Sequence, residues 1–169
     1  MFQDVAELTV KGGDGGDGCV SFRREKYIPK GGPDGGNGGN GGSVIFVADA
    51  QLTTFSDSKL LPEYKAENGR QGGGRNRTGR SGVDLIITVP PGTIIKDAEH
   101  GHALKDLKGD GDRVTIVEGG KGGRGNTSFA SSTKQVPRES TPGTPGGERR
   151  LLLELSLVAD VGLVGLPNA

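Results

Sequence analysis

The sequence has few of the side chains that commonly build catalytic sites, disulfide frameworks or membrane spans. It has no tryptophan, one cysteine and two histidines, and aromatic residues make up 4% of its 169 positions. Cys19 has no partner for an internal disulfide, which fits a reducing compartment. No run reaches the roughly 18 apolar residues of a membrane-spanning helix, and residues 1–11 lack the apolar stretch of a secretory signal. We therefore expect a cytoplasmic protein with no membrane partner.

The chain also lacks net charge and helical periodicity. It carries 21 basic and 21 acidic residues, so only local patches can attract nucleic acid. Only Asp57–Asn68 could hold a turn or two of helix, and Pro62 interrupts it. Short runs rich in Val and Ile instead predict strands. These runs are Val5–Val10, Val20–Phe22, Ser43–Val47, Asp84–Val89, Gly92–Ile95, Arg113–Val117 and Leu151–Leu157. A hairpin or corner is expected at Pro90–Gly92, and the length suits one mainly β domain.

What the chain has in excess is glycine, arranged with a period of three. There are 33 glycines, and doublets separated by single residues recur between the strand-like runs, as in Gly12–Gly18, Gly35–Gly42 and Gly119–Gly125. A period of three fits left-handed polyproline II helices, whose glycine faces can pack backbone to backbone. The residues at the third position are all polar and are expected to point outward or cap the packing: Asp14, Asp17, Asn37, Asn40, Lys121 and Arg124. A disordered low-complexity tract would not keep this phase, and the runs are too short and too poor in proline for collagen.

Three clusters of basic residues lie in or beside the glycine-rich runs. They occupy residues 22–30, 65–80 and 121–138, and each contains at most one acidic residue. Such clusters can neutralise phosphates, and an exposed tyrosine can stack on an unpaired base. A solvated charged surface is the alternative. The predicted RNA-binding residues are Arg23, Arg24, Lys26, Tyr27, Lys30, Arg70, Arg75, Arg77, Arg80, Lys134 and Arg138.

No residue pattern indicates catalysis or a metal site. His100 and His102 have no third ligand nearby, so an exposed hairpin tip is the better interpretation. Cys19 has no histidine near it in sequence, which argues against a nucleophile.

Two long strings resemble the Obg family of GTPases. They are GGDGGDGCVSFRREKYIPKGGPDGGNGGNGG at residues 12–42 and GGKGGRGNTSFASSTKQVPR at residues 119–138. The resemblance covers essentially the whole chain. It implies three glycine-rich regions inserted into an eight-stranded β-sandwich or barrel and forming six polyproline II helices. It also implies a monomeric domain that binds the large ribosomal subunit and its rRNA near the peptidyl-transferase region, in a protein acting in subunit assembly.

The last residues resemble the opening of a phosphate-binding loop. Gly165, Leu166, Pro167, Asn168 and Ala169 match the first five positions of G-x-x-x-x-G-K-[ST]. Taken alone, the segment could be a strand followed by a turn. Beside the Obg resemblance it predicts an Obg domain at residues 1–157 and the start of a GTPase domain at 158–169, with residues 148–157 acting as a linker. The Gly, Lys and Ser or Thr that hold phosphates and Mg²⁺ are missing, so we expect no GTP binding or hydrolysis by this chain, whereas the full-length protein would use GTP and Mg²⁺.

The sequence therefore predicts a ribosome-binding domain with no cofactor or metal of its own. A protein-interaction scaffold with incidental RNA contacts is the alternative.

Overall fold

A computed structural model describes residues 5–28 and 31–156, and this part of the chain is mainly β. It holds one four-residue helix, α1 (Phe55–Ser58), and a 3₁₀ turn at Asn126–Phe129. The strands are β1 (Val5–Lys11), β2 (Val44–Ala48), β3 (Glu63–Lys65), β4 (Leu85–Val89), β5 (Thr93–Asp97), β6 (Ala103–Leu107), β7 (Arg113–Val117) and β8 (Glu148–Leu155). The prediction of a mainly β protein is confirmed.

The strands form two mixed sheets that share one hydrophobic core. One sheet has the order β3-β1-β8-β5-β6 and the other β4-β2-β7. β8 lies between β1 and β5 and is antiparallel to both, whereas β3 runs parallel to β1 and β4 parallel to β2. Alternate residues of the strands point into the core, including the fully buried Val10, Phe46, Ile95 and Leu153. Residues 148–155 are therefore a central strand of the larger sheet, and the linker interpretation is wrong for them.

The predicted strands agree with the structure except at three places. Val20–Phe22 is not a strand, since only an isolated bridge between Phe22 and Pro33 forms there. β6 was missed because its sequence, ALKDL, is largely polar and only Leu107 is fully buried. Most of Asp57–Asn68 is not helical, because Thr54 and Asp57 cap a single turn and the chain then pairs with β1 as β3.

The Pro90–Gly92 break is a corner between sheets. β4 belongs to the smaller sheet and β5 to the larger one. The Thr93 hydroxyl donates to the Pro90 carbonyl at 2.6 Å, and Gly92 has φ of +86°, which favours glycine.

Six extended glycine-rich segments leave the sheets and run side by side. We number them segment 1 (12–19), segment 2 (35–42), segment 3 (67–73), segment 4 (77–83), segment 5 (118–126) and segment 6 (141–147), and together call them the glycine bundle. Their backbones are hydrogen-bonded between segments at three-residue intervals. For example, the amides of Gly13, Gly16 and Cys19 donate to the carbonyls of Gly42, Gly39 and Gly36 at 2.8 to 3.0 Å. Segment 1 bonds in the same way to segments 3, 5 and 6, and segment 2 to segments 3, 4 and 5, so these two are the central segments.

The bundle has no room for side chains at its glycines. Except at Gly73 and Gly147, a Cβ added to any glycine of the six segments would lie less than 3.0 Å from a backbone carbonyl oxygen of another segment. The backbones therefore pack directly against one another, which explains the glycine doublets.

Four of the six polar third-position residues cap the packing, as predicted. Asp14 and Asp17 accept hydrogen bonds from the amides of Gly146 and Gly143, and Asn37 and Asn40 accept from those of Gly125 and Gly122, all at 2.8 to 3.0 Å. Amides without a backbone acceptor thus gain side-chain partners. Lys121 and Arg124 are exposed.

No helix in the described ranges is both long enough and apolar enough to cross a membrane.

Candidate nucleic-acid interface

The path of the six segments brings three loops to one end of the bundle. Segment 1 starts where β1 ends, and its far end, Cys19, pairs with Gly36 at the start of segment 2. Segments 3 and 4 pair through Gly73 and Arg77, and segments 5 and 6 through Arg124 and Thr141. Loop 1 (20–28 and 31–34), loop 2 (74–76) and loop 3 (127–140) therefore share the end of the bundle remote from the sheets. We call this end the bundle tip.

Loop 1 carries three of the basic side chains predicted to bind RNA, more than either of the other two loops. Arg23 forms a salt bridge with Glu25 at 2.9 Å, whereas Arg24 is exposed and belongs to no salt bridge among the described residues. The Lys26 ammonium lies 5.6 Å from the centroid of the Tyr27 ring, and Tyr27 is 85% exposed. An aromatic ring this exposed is free to stack on a planar partner, and a cation beside it adds charge.

Loop 2 and the first residue of segment 4 bring two further arginines, Arg75 and Arg77, to the same place. Arg75 and Asn76 have φ of 59° and 57°, so the chain reverses in a tight left-handed turn, and the Asn76 amide donates to the Asp34 carbonyl at 2.6 Å. Arg75 consequently faces loop 1. It lines a cleft of about 500 Å³ with Arg23 and Arg24, while Arg77 lines an adjoining cleft of about 370 Å³.

A buried carboxylate, Asp34, lines both clefts. Asp34 is 7% exposed, and its Oδ1 atom is buried with no hydrogen-bond partner among the described residues. Its charge lies beside the arginines of loops 1 and 2, so it lowers the positive potential locally and favours guanidinium groups close to it.

Loop 3 joins the other two loops by one cation–π contact and a network of hydrogen bonds. The Arg138 guanidinium lies 6.0 Å from the centroid of the Phe22 ring in loop 1. Lys134 is paired with Glu139 within loop 3, so its charge is largely balanced. The buried side chain of Asn126 hydrogen-bonds to both loop 1 and loop 3.

Not all the predicted RNA-binding residues lie at the tip. Arg70 and Arg80 lie along segments 3 and 4, joined through the Arg70 amide and Arg80 carbonyl, and Arg80 is 3.7 Å from Glu67. They flank the bundle and line neither cleft. Lys30 and the partial phosphate-binding loop, Gly165–Ala169, lie outside the described residues.

The two histidines lie in the turn between β5 and β6, within the larger sheet and not among the tip loops. His100 and His102 are exposed, which confirms the predicted hairpin tip. The pKa of the Asp97 carboxyl is lowered, chiefly by the backbone N–H of His100 and further by that of Glu99. Both interactions stabilise the local turn.

Sequence inspection missed the residues that hold the tip together. Asp34, Asn76, Asn126 and Thr127 are polar residues next to glycine runs, and each contacts a segment remote in sequence. In the sequence these four residues are marked only by position, because each lies at the boundary between a glycine-rich segment and a loop.

Comparisons with known proteins show the family of the chain. A profile of the family described as GTP1/OBG matches residues 3–157. Proteins named GTPase Obg are similar to the chain: that of Caldicellulosiruptor bescii is 58% identical over 99% of this chain, and that of Persephonella marina 56% over 99%. The protein of that name from Moorella thermoacetica is 56% identical over all 169 residues. The chain spans 39%, 49% and 40% of these three relatives respectively. The profile match over nearly the whole chain and this level of identity together show that the chain belongs to the GTP1/OBG family.

Proposed function

We propose that this chain binds RNA of the large ribosomal subunit through the bundle tip. The observation that carries the proposal is the meeting of Arg23, Arg24 and Arg75 around one cleft, although loops 1 and 2 are about fifty residues apart in sequence. A guanidinium group donates two parallel hydrogen bonds to the oxygens of one phosphate. Several guanidinium groups on neighbouring loops can therefore bind successive phosphates of a folded RNA.

The aromatic content of the tip favours RNA with unpaired bases. Double-stranded RNA hides its base edges in a deep, narrow groove, whereas loops and bulges expose bases that stack on aromatic or guanidinium planes. Tyr27 is exposed beside Lys26, and Arg138 lies over Phe22. The tip thus offers both kinds of stacking surface beside phosphate-binding charges. The family resemblance leads us to propose the peptidyl-transferase region as the target.

We propose further that the six segments are left-handed polyproline II helices that act as a stiff support. Their hydrogen bonds run between segments with a period of three, and none of their glycines has a positive φ. With nearly every glycine in contact with another backbone, one segment cannot bend without displacing its neighbours. A stiff support holds the loops at a distance from the sheets and allows them to enter a crowded RNA surface.

In a longer protein, we propose that this domain, residues 1–157, is joined to a GTPase domain starting at residue 158. The relatives are named GTPase and are more than twice as long as the chain. GTP with Mg²⁺ would supply hydrolysis as a switch in that domain. β8 ends at Leu155, hydrogen-bonded in the middle of the larger sheet, so a displacement of the following chain would act directly on this sheet.

The test is co-sedimentation of the purified chain with isolated large subunits over a range of salt concentrations. Arg24→Ala and Arg75→Ala should each weaken binding by about 10- to 100-fold if each removes a charge-assisted phosphate contact. Lys105→Ala is the matched control, because Lys105 is an exposed cation on β6, far from the tip.

Two results would count against the proposal. Equal effects of Lys105→Ala and Arg24→Ala would mean that total charge, not the tip, determines binding. Binding that survives nuclease treatment and high salt would favour the alternative of a protein-interaction scaffold.

A further inference from the structure

Asn126 is a completely buried polar residue that connects loop 1, segment 2 and loop 3. Its exposed fraction is 0%. Its Oδ1 accepts hydrogen bonds from the amides of Gly35 at 2.9 Å and Ser21 at 3.4 Å, and its Nδ2 donates to the carbonyls of Ser21 at 2.9 Å and Pro137 at 3.2 Å. Every hydrogen-bonding position of the side chain is therefore occupied, and its partners lie 105, 91 and 11 residues away along the chain.

The next residue, Thr127, makes the connection to loop 2. Its hydroxyl shares one hydrogen between the Gly35 carbonyl at 2.9 Å and Oδ1 of Asn76 at 3.1 Å. Asn76 also donates its amide to the Asp34 carbonyl. Two consecutive side chains at the start of one 3₁₀ turn thus reach all three basic loops.

We propose that Asn126 and Thr127 are positioning residues that clamp the three loops in one arrangement and so determine which RNA the tip prefers. This inference rests on the proposed function, because it explains how the same site distinguishes its target from other RNA. Neither residue is charged, and Asn126 is inaccessible, so the clamp acts through the arginines that it holds in place.

The physical reason is the difference between affinity and specificity for nucleic acids. Phosphate contacts give binding that depends on charge and salt but little on sequence or shape, and it persists when the charges move. A preference for one folded RNA requires the charges to match fixed phosphate positions at the same time. If the three loops move independently of one another, the chain still binds RNA through charge but no longer prefers one folded RNA.

The first measurement is the distance between loops 1 and 3 by pulsed electron paramagnetic resonance. Spin labels are attached to Lys26→Cys and Gln135→Cys in a Cys19→Ser background, since Lys26 and Gln135 are exposed. The distance distribution should be narrow in this background and should broaden when Asn126→Ala is added. Ser128→Ala is the matched control, because the Ser128 hydroxyl lies in the same turn and bonds to Asn37 within the bundle. An unchanged distribution in Asn126→Ala would overturn the clamp.

The second measurement compares affinity for large subunits with affinity for an unstructured oligouridine. Asn126→Ala should weaken binding to large subunits by about tenfold, because the hydrogen bonds that Asn126 loses are equivalent to at least one decade of affinity. Binding to oligouridine should not change, because the substitution removes no charge. General destabilisation would reduce both affinities in proportion. A constant ratio of the two affinities would therefore overturn the inference.

Two further measurements decide the question if Asn126→Ala does not fold or if the unmodified chain shows no preference for large subunits. If thermal melting shows that Asn126→Ala does not fold, Thr127→Val decides the question, because it removes only the hydroxyl and should still reduce the preference by about threefold through the contact with loop 2. If the unmodified chain shows no preference for large subunits, the proposed function fails, while the spin-label distances still report whether the clamp exists.

Discussion

Substituting Gly38 in segment 2 with alanine tests the backbone-to-backbone packing of the glycine bundle. An added Cβ at this position would lie 1.8 Å from the carbonyl oxygen of Gly16 in segment 1. Restoring an ordinary contact of 3.4 Å requires a movement of about 1.6 Å. The bonds from Gly16 to Gly39 and from Gly38 to Gly123 are 2.8 Å long, and such a movement takes them beyond hydrogen-bonding distance.

The expected loss follows from these bonds. Two interior amides left without partners cost about 1 to 3 kcal/mol each, so we expect Gly38→Ala to lower the free energy of unfolding by about 3 kcal/mol. For a domain of this size that corresponds to a melting temperature lower by roughly 6 to 12 °C. Differential scanning calorimetry or circular dichroism at a fixed scan rate would measure it.

The control is Gly32→Ala in loop 1. Nothing lies within 4 Å of a Cβ added at Gly32, and its φ is not in the left-handed region. Alanine there should be neutral or slightly stabilising, since it restricts the unfolded chain. If Gly38→Ala melts within about 2 °C of Gly32→Ala, the segments are not packed as described, and the explanation for the glycine doublets is wrong.

Three other predictions concern the tip, the caps and the β5–β6 turn. In a plot of log affinity for large subunits against log salt concentration, Arg24→Ala combined with Arg75→Ala should reduce the slope by about 2, and an unchanged slope would remove these residues from the phosphate contacts. Asp17→Ala deprives the Gly143 amide of its acceptor and should destabilise the domain by about 1 kcal/mol in urea unfolding, whereas Asp17→Asn, which keeps an acceptor oxygen, should cost less. A carbon-detected NMR titration should give Asp97 a pKa below the usual aspartate value, because the backbone N–H groups of His100 and Glu99 favour the carboxylate. The ionised Asp97 carboxyl then stabilises the fold above the unfolded-state pKa, and this stabilisation is lost as the pH falls through the lower folded-state pKa. A measured pKa that is ordinary or raised would contradict the turn geometry.

The sequence was informative about the fold wherever local pattern and tertiary structure coincide. The doublets of Gly12–Gly18 and Gly35–Gly42 predicted the three-residue interval, because only a regular extended chain places every third residue on the same face. The same interval identified Asp17 and Asn40 as capping residues. The run that begins at Leu151 alternates in burial as far as Leu155, and such alternation made it recognisable as a strand.

The elements that were missed depend on partners remote in sequence. β3 has three residues and is a strand only because β1 lies parallel to it. β6 has one fully buried side chain, so its pattern carries little signal. Strand propensity and hydrophobic periodicity predict neither the pairing of β3 nor that of β6.

The sequence predicts the positive charge of the candidate site but not the spatial arrangement of its side chains. Basic clusters in residues 22–30 and 65–80 are visible in the sequence, yet it does not indicate that Arg75 reaches the cleft of Arg23 while Arg80 remains on the bundle flank. That division follows from the place at which segment 3 turns into segment 4. The clamp was invisible for the same reason, because Asn126 acquires its role from groups up to 105 residues away.

We propose that a stiff glycine bundle presents three basic loops to rRNA. Cryo-electron microscopy of the chain bound to large subunits tests it most directly. We expect the bundle tip, with Arg24 and Arg75, to contact rRNA phosphates while the two sheets remain at the other end. A complex in which the sheets face the RNA and the tip faces solvent would contradict it.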